Sequence, residues 1–501
     1  MKTFEYDYIV IGGGISGLVA CYNLAKKNRT KILLVERLPR LGGKIYTESY
    51  KHNGQSFLME RGAARFHKGQ THVMDLLKDL CLDTDIINYP SEITCGEGLF
   101  PLLSSISLRI REGNVSKMND LTFIEYVEKY ETIDVLKRLR KYTYYETLDK
   151  GNALYIAEKL IYHYGDIQYL TLRKGLSSIV DMVTSKIRVQ NNVTIQCNMN
   201  AIDVERVRGG LVVSFNNKLQ YTSKNVIFAV PGKYLVGFSL FEHLKCDMES
   251  IYYKTLNRIY ALLPKSTKRI NREKVITSND KLNTMKIINE QPALVSYCDG
   301  DCAKKWFDIT SEKNIDTMIS KELSRIEKRN VKPKKTWSYY WPNSLGLWKP
   351  GSDYTRINRK MVNPLKHVYV CGDTFSLDQC WIEGALSTTM KVVDLCGKQN
   401  KKVRKNKTRK RNTKGGSKRT TYTMSDVRKH NTRDDGWIVL YNKVYNITDW
   451  IGKHPGGIII EEYLGKNGTS AFEASGHPDY VRKNIFPKYQ IGTLVSKTKK
   501  M

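Results

Sequence analysis

Hydrophobic residues fall into dense runs near the two ends of residues 1–397 and into looser alternations between them. Residues 6–11 (YDYIVI) read as a buried parallel strand, the kind that is apolar at nearly every position. Gly12–Gly17 is a turn, Ile15–Lys27 a helix with small residues toward the strand, and Lys31–Glu36 a second strand. Thr71–Leu80 and Leu176–Lys186 carry helical periodicity. Val193–Ile195, Ala201–Val207 and Leu211–Phe215 alternate like the strands of a meander. Asn225–Val230 is another buried strand, stopped by Pro231-Gly232, and His367–Cys371 is the last one before a helix at Gly384–Leu395. Residues 90–150 have no decisive pattern and are expected in a cap or substrate domain; 250–345 are mixed, with strand-like pieces. Residues 422–494 form a separate small module, and no internal repeat is visible.

Length adds that 501 residues exceed one ordinary core, so two or three domains are expected. No apolar run reaches the roughly 18–20 residues of a membrane span. The apolar start is broken by four glycines and flanked by Glu5 and Asp7, which argues against a signal peptide and for a cytoplasmic protein. The ten cysteines are scattered without a CxxC pair, and Cys298-x-x-x-Cys302 lacks the second pair of a zinc site. The formal net charge is +32, and residues 398–420 hold twelve Lys or Arg and no acid. That segment reads as a self-repelling, extended linker. Contact with nucleic acid or an anionic membrane is the lesser reading, since no aromatics interleave the charges.

Gly12-x-Gly14-x-x-Gly17 follows a strand and opens a helix, and Glu36 ends the next strand. Such a turn brings a pyrophosphate against free N–H groups at a helix N-terminus, and the acid accepts from ribose hydroxyls. Further on stand Arg40-Leu41-Gly42-Gly43-Lys44, Glu60–Phe66 (ERGAARF), Val370-Cys371-Gly372-Asp373 and Trp381-Ile382-Glu383-Gly384-Ala385. This series resembles the flavin-containing amine oxidase family of monoamine, polyamine and L-amino-acid oxidases, which has protoporphyrinogen oxidases and carotene desaturases as relatives. The resemblance spans about residues 5–397 and is specific at its two ends. It implies an α/β two-domain, Rossmann-like FAD-binding fold over 1–397, with cap or substrate parts within about 75–190 and 240–345.

The resemblance also assigns roles. Gly12, Gly14, Ser16 and Gly17 would hold the FAD pyrophosphate, Glu36 the adenosine ribose, and Met199 would meet the adenine by its backbone. Arg40, Gly43 and Lys44 would line the phosphate and ribityl path, with Lys44 where the family usually has Arg. Gly62, Ala63, Ala64 and Arg65 would pass the flavin ring. Gly372 and Asp373 would hold the ribityl chain, and Ile382 would open a helix aimed at the flavin pyrimidine edge. Residues 343–351 contain no cysteine, so the FAD is expected to be non-covalent. Many relatives hold a water near flavin N5 with a Lys; Leu256–Ile259 is expected in that region, with Asn257 or Arg258 instead, which puts oxygen reactivity in question. Trp381 would form an aromatic wall, with Trp348 or Trp341 opposite. Arg65 stands where L-amino-acid oxidases grip the substrate carboxylate. His67 and His163 are candidate bases.

Residues 422–495 resemble cytochrome b5, on Trp437-Ile438-Val439, Lys443–Thr448 (KVYNIT), His454-Pro455-Gly456-Gly457, Ala471-Phe472-Glu473 and His477. That implies a small α+β module binding haem b through His454 and His477, with His430 at a helix start. The combined expectation is an FAD-dependent enzyme (1–397), a basic linker (398–421) and a haem module (422–495). A small amine or amino acid would give a hydride to the flavin, and electrons would pass to the haem and on to a one-electron acceptor, or arrive from a reductase. Alternatives are an apolar substrate of porphyrinogen or polyene type, and electron delivery to a separate desaturase.

Overall fold

Tyr8–Ile11 is buried because it lies between two parallel neighbours: Ile32–Val35 on one side and Gln220–Phe228 on the other, in the registers Ile11↔Val35 and Ile11↔Phe228. The computed structural model describes residues 5–26, 30–52, 54–89, 99–112, 115–142, 146–164, 167–264, 293–312, 315–409, 421–451, 457–474 and 481–495. The chain divides into two units, Met1–Lys402 and Val403–Met501.

In the first unit the central sheet runs Val193–Gln196, Ile32–Val35, Tyr6–Ile11, Gln220–Phe228, Gly210–Phe215, Ala201–Val207, and Val368–Val370 pairs with the far half of Gln220–Phe228. Val193–Gln196 is a parallel edge strand beside Ile32–Val35, not part of the expected meander, which contains only the antiparallel strands. Its short alternation could not distinguish the two. Five parallel strands end at Gln196, Val35, Ile11, Phe228 and Val370, so the residues that follow them converge on one edge of the sheet. Ligands of open α/β sheets bind outside such carboxyl ends.

A second, antiparallel sheet has Ile251–Leu262 between Ala293–Asp299 and Lys335–Trp348. Helices Gly300–Glu312 and Ile315–Glu327 cover one face, where Ile259, Val295, Trp306, Ile319 and Leu323 form a core. The stretch without a decisive pattern forms a helical cap: Leu99–Glu112, Val115–Asn119, Phe123–Tyr130, Ile133–Tyr142, Glu146–Lys150 and Ala153–Tyr164. Thr122 and Glu125 close a capping box at the start of the third of these. The last helix of the unit is longer than expected, Ile382–Arg409, and takes in the first part of the basic segment. Lys and Arg are good helix formers, and neither Gly nor Pro interrupts them until Gly415.

The second unit has a five-stranded sheet in the order Thr421–Tyr422, Gln490–Leu494, Lys443–Asn446, Asp435–Leu440, Asn431–Thr432. Its core joins Ile438, Leu440, Tyr445, Ile447, Ile451, Leu464 and Phe472. His430 does not start a helix: it follows the short helix Met424–Val427 and stacks on Trp437 at 3.6 Å. Among the described residues no helix is long and apolar enough to cross a membrane.

Candidate active site

The glycine turn is built by close approach. A Cβ on Gly17 would lie 1.9 Å from the Gly12 carbonyl oxygen, and one on Gly12, at φ +110°, would lie 2.4 Å from the Ala229 oxygen. Gly14 differs, since its nearest chain atom would be 3.9 Å away, at Gly43. Space is therefore kept beside Gly14, at the start of helix Ile15–Ala25. No side chain caps that helix and no acid sits in its first turn. Its first N–H groups are left for an anion.

Glu36 is buried, and its two oxygens accept from the Gly13 and Leu38 amides at 2.7 and 2.9 Å. Each oxygen keeps a lone pair for a hydroxyl. The Met199 amide donates to the Glu36 carbonyl, which brings Met199 to the same corner. Arg40 turns back into its own loop, donating to the Leu41 and Gly43 carbonyls, so it braces the turn and is absent from the cavity wall. Lys44 and Asp373 form an ion pair of 2.7 Å, and Lys44 also donates to Ser344 O. Ser16 Oγ reaches the carbonyl of Ala385, joining the first helix to the last.

Gly12, Gly14, Ser16, Glu36, Lys44, Met199 and Asp373 line one cavity of about 1100 Å³, together with Gly43, Gly62, Ala63, Ala64, Gly372 and Ile382. That exceeds the ~300–1,000 Å³ of ordinary ligand pockets. An uncapped helix N-terminus, a buried ribose-type acid and this space fit FAD with a substrate beside it.

At the substrate end Trp381 lies between aromatic neighbours. Its ring stacks on His163 at 4.6 Å and on Tyr169 at 6.3 Å. The Arg65 guanidinium sits 4.0 Å over Tyr169 and has no ion-pair partner among the described residues. His163 Nδ1 is 3.1 Å from His67 Nε2, and His163 Nε2 is 3.5 Å from Asp378, which pairs with Lys159 at 2.8 Å. Burial and then His163 push His67 down to about 4. Burial also lowers His163, against the pull of Asp378. Burial would raise Asp378, but His163 and Lys159 outweigh it and hold it at about 2. Nδ1 of His163 thus meets His67, while Nε2 lies near Asp378 without a hydrogen bond, and the stacked ring supports Trp381. His67 is absent from the cavity lining.

Trp348 is a correction. It is fully buried in the core against Phe375 and Tyr354, its indole N–H donates to Ser376 O, and it does not line the cavity. Trp341, seven residues earlier on the same strand, does line it, and donates to Arg61 O at 2.7 Å. An odd spacing on a strand puts the two rings on opposite faces.

Leu256–Ile259, expected to bring Asn257 or Arg258 in place of a lysine, is preceded by Lys254 on the same strand. Lys254 is buried, lines the cavity and is paired with Asp299 of the neighbouring strand and with Thr147. Burial works against its charge, but Asp299 outweighs it and raises the pKa. Lys254, Leu256 and Arg258 alternate along one wall, while Asn257 has no place there.

In the second unit His454 and His477 lie outside the described residues. The flanking helices Gly457–Tyr463 and Thr469–Ala474 are described, and Ile460, Phe472, Val481 and Phe486 gather around one apolar cluster. Such side chains suit the apolar faces of a haem.

A family model for flavin containing amine oxidoreductases matches residues 107–396, one for NAD(P)-binding Rossmann-like domains matches 10–80, and one for cytochrome b5-like heme/steroid binding domains matches 423–495. An acyl-lipid (8-3)-desaturase of Physcomitrium patens is 47% identical over 87 residues, 17% of this chain and 18% of that protein. Cytochrome b5 of Drosophila melanogaster is 42% identical over 77 residues, 15% of this chain and 56% of that protein. Cytochrome b5 of Rhizopus stolonifer is 43% identical over 82 residues, 16% and 61%. The chain therefore spans less than two thirds of these relatives.

Proposed function

The chain belongs to the flavin containing amine oxidoreductase family and carries a C-terminal cytochrome b5-like domain, and on that premise we propose that it oxidises an amino acid or related amine and passes the electrons to its own haem. The two family matches indicate FAD and haem as the cofactors. When bound, FAD supplies a two-electron acceptor for a hydride from the carbon bearing the amine, and the haem supplies a one-electron acceptor.

The observation that carries this reading is Arg65. Its guanidinium lies on Tyr169 within the cavity, beside Trp381, and has no acid partner among the described residues. Stacking occupies one face and leaves the in-plane donors for a carboxylate. Trp381 gives the substrate a flat wall that excludes water, and His163 holds that wall in place. Lys254, kept protonated by Asp299, can hold a water by donating to it. With cations at Arg65 and Lys254, a substrate ammonium is disfavoured, so the amine reacts in its neutral form. Gly12, Gly14, Gly17, Glu36, Lys44, Met199 and Asp373 would hold the FAD without a covalent link, and His454 and His477 would hold the haem.

Anaerobic mixing with a panel of L-amino acids and simple amines tests this. Bleaching of the flavin band by amino acids, followed by haem reduction at a rate independent of protein concentration, is expected. Haem reduction that slows in proportion to dilution would remove the intramolecular relay.

A second reading draws on the identity to an acyl-lipid desaturase: the haem module would deliver electrons to a separate desaturase. Haem reduction by NADH and a cytochrome b5 reductase, with no response to any amine, would favour it.

A further inference from the structure

The cations of the cavity wall do not balance evenly. Lys44 is paired with Asp373, Lys159 with Asp378 and Lys254 with Asp299. Arg37 lies toward the nucleotide end, next to Glu36, with its guanidinium over Tyr234. Arg65 and Arg258 remain, neither with an ion-pair partner among the described residues.

Arg258 is the deeper of the two, at 7% exposure. Its guanidinium sits 4.9 Å over the ring of Tyr297, one terminal nitrogen makes a long 3.5 Å contact to Glu60 O, which also accepts from the Tyr260 hydroxyl, and Nε has no hydrogen-bond partner. The Glu60 carboxyl is engaged by Thr47 and the Leu176 amide, and burial pushes it up to about 7, so it neutralises Arg258 only in part. A buried cation with unmet donors is costly unless a ligand meets it. Four residues along the strand from Lys254, it stands roughly 13 Å down the wall at ~3.3 Å per residue. Leu256 lies between them on the same wall. Arg65 reaches the same cavity wall, its guanidinium 5.9 Å from the ring of Tyr89, which lines the cavity with Arg258.

We propose that Arg258 is a second anion-binding position in the substrate cavity and that the substrate class is a dicarboxylate, one carboxylate meeting Arg65 and the other meeting Arg258. This rests on the assignment of Arg65 to the first carboxylate. Two guanidinium groups on aromatic platforms then receive two anions, and the stem between them packs on Leu256. A carboxylate takes paired N–H donors from an arginine edge, which a neutral amide of the same shape cannot do as well.

The FAD-loaded full-length protein is titrated with succinate, adipate and sebacate and with the monoamide of each, reading the shift of the flavin absorbance band and the heat of binding. At least one diacid is expected to bind about ten- to a hundredfold tighter than its monoamide. Arg258→Met is expected to abolish that difference by weakening the diacid far more than its monoamide. Arg65→Met is expected to weaken diacid and monoamide alike. If every diacid and its monoamide bind equally to the wild-type protein, or if Arg258→Met keeps the difference, the second position is overturned. The wild-type comparison decides even if Arg258→Met fails to retain FAD. If Arg65→Met leaves monoamide binding unchanged, the Arg65 assignment falls instead.

Discussion

Trp381 lies flat on His163, the ring centroids 4.6 Å apart and the planes 16° from parallel. The histidine is itself held on one side, its Nδ1 3.1 Å from His67, while its Nε2 lies 3.5 Å from Asp378. The wall of the substrate cavity is thus supported from a buried, uncharged pair of imidazoles. Its firmness depends on both remaining neutral.

That dependence sets an acid limit. His67 has a folded pKa of about 4 against an ordinary 6.5, so the unfolded chain takes up its proton first as pH falls. Stability is intact above pH 6.5 and is lost progressively down to about 4, by on the order of 3 kcal/mol at ~1.36 kcal/mol per unit. Asp378 adds a further loss only lower, as pH falls from 3.8 to about 2. Thermal melting from pH 7 to 4 checks this, and His67→Gln should flatten the upper part of the curve. An unchanged slope would remove His67 as its source.

Arg65→Met should lower kcat/KM for an amino acid by about a hundredfold, since a charged hydrogen-bond pair is lost. The corresponding amine without a carboxylate should be oxidised at nearly the wild-type rate. Steady-state kinetics on the matched pair measures both. An equal loss on the two would assign Arg65 to the fold or the flavin.

Gly17→Ala should abolish FAD retention. The new methyl would lie 1.9 Å from the Gly12 oxygen, and that oxygen belongs to the turn itself. The ratio of flavin to protein absorbance after purification reports it. Haem content should be unaffected, because the second unit has its own core.

Much of this was legible in the sequence where a local requirement dictates residue type. Gly17 answers to a contact within its own turn, Gly12 to the positive φ of that turn, and Glu36 to the end of a strand, so spacing sufficed. The wall of the second sheet was not legible. Lys254 and Arg258 share a face with each other, and Trp341 does not share one with Trp348, only because the register of three strands fixes which side faces the cavity. A period of two has no absolute phase without its neighbours. The cap was hidden for another reason: its helices are short, and Ile133–Tyr142 contributes Leu139 as its one fully buried core residue among those described.

His454→Ala and His477→Ala should each remove the six-coordinate haem spectrum and leave the flavin band and its bleaching by substrate intact. Absorbance of the reduced protein in the haem region checks this. Retention of a normal spectrum in either variant would exclude that residue as a ligand.

Ser16 and Ala385 touch across 369 positions of sequence. The nucleotide pocket is therefore made from the first and the last parts of its unit to leave the ribosome. A nascent chain carries Ser16 and the glycine turn 369 positions before Ala385 of the opposite wall emerges. Cofactor capture in consequence waits for the far end of this unit, and the apo segment must survive the synthesis of everything between the two walls before FAD can secure it.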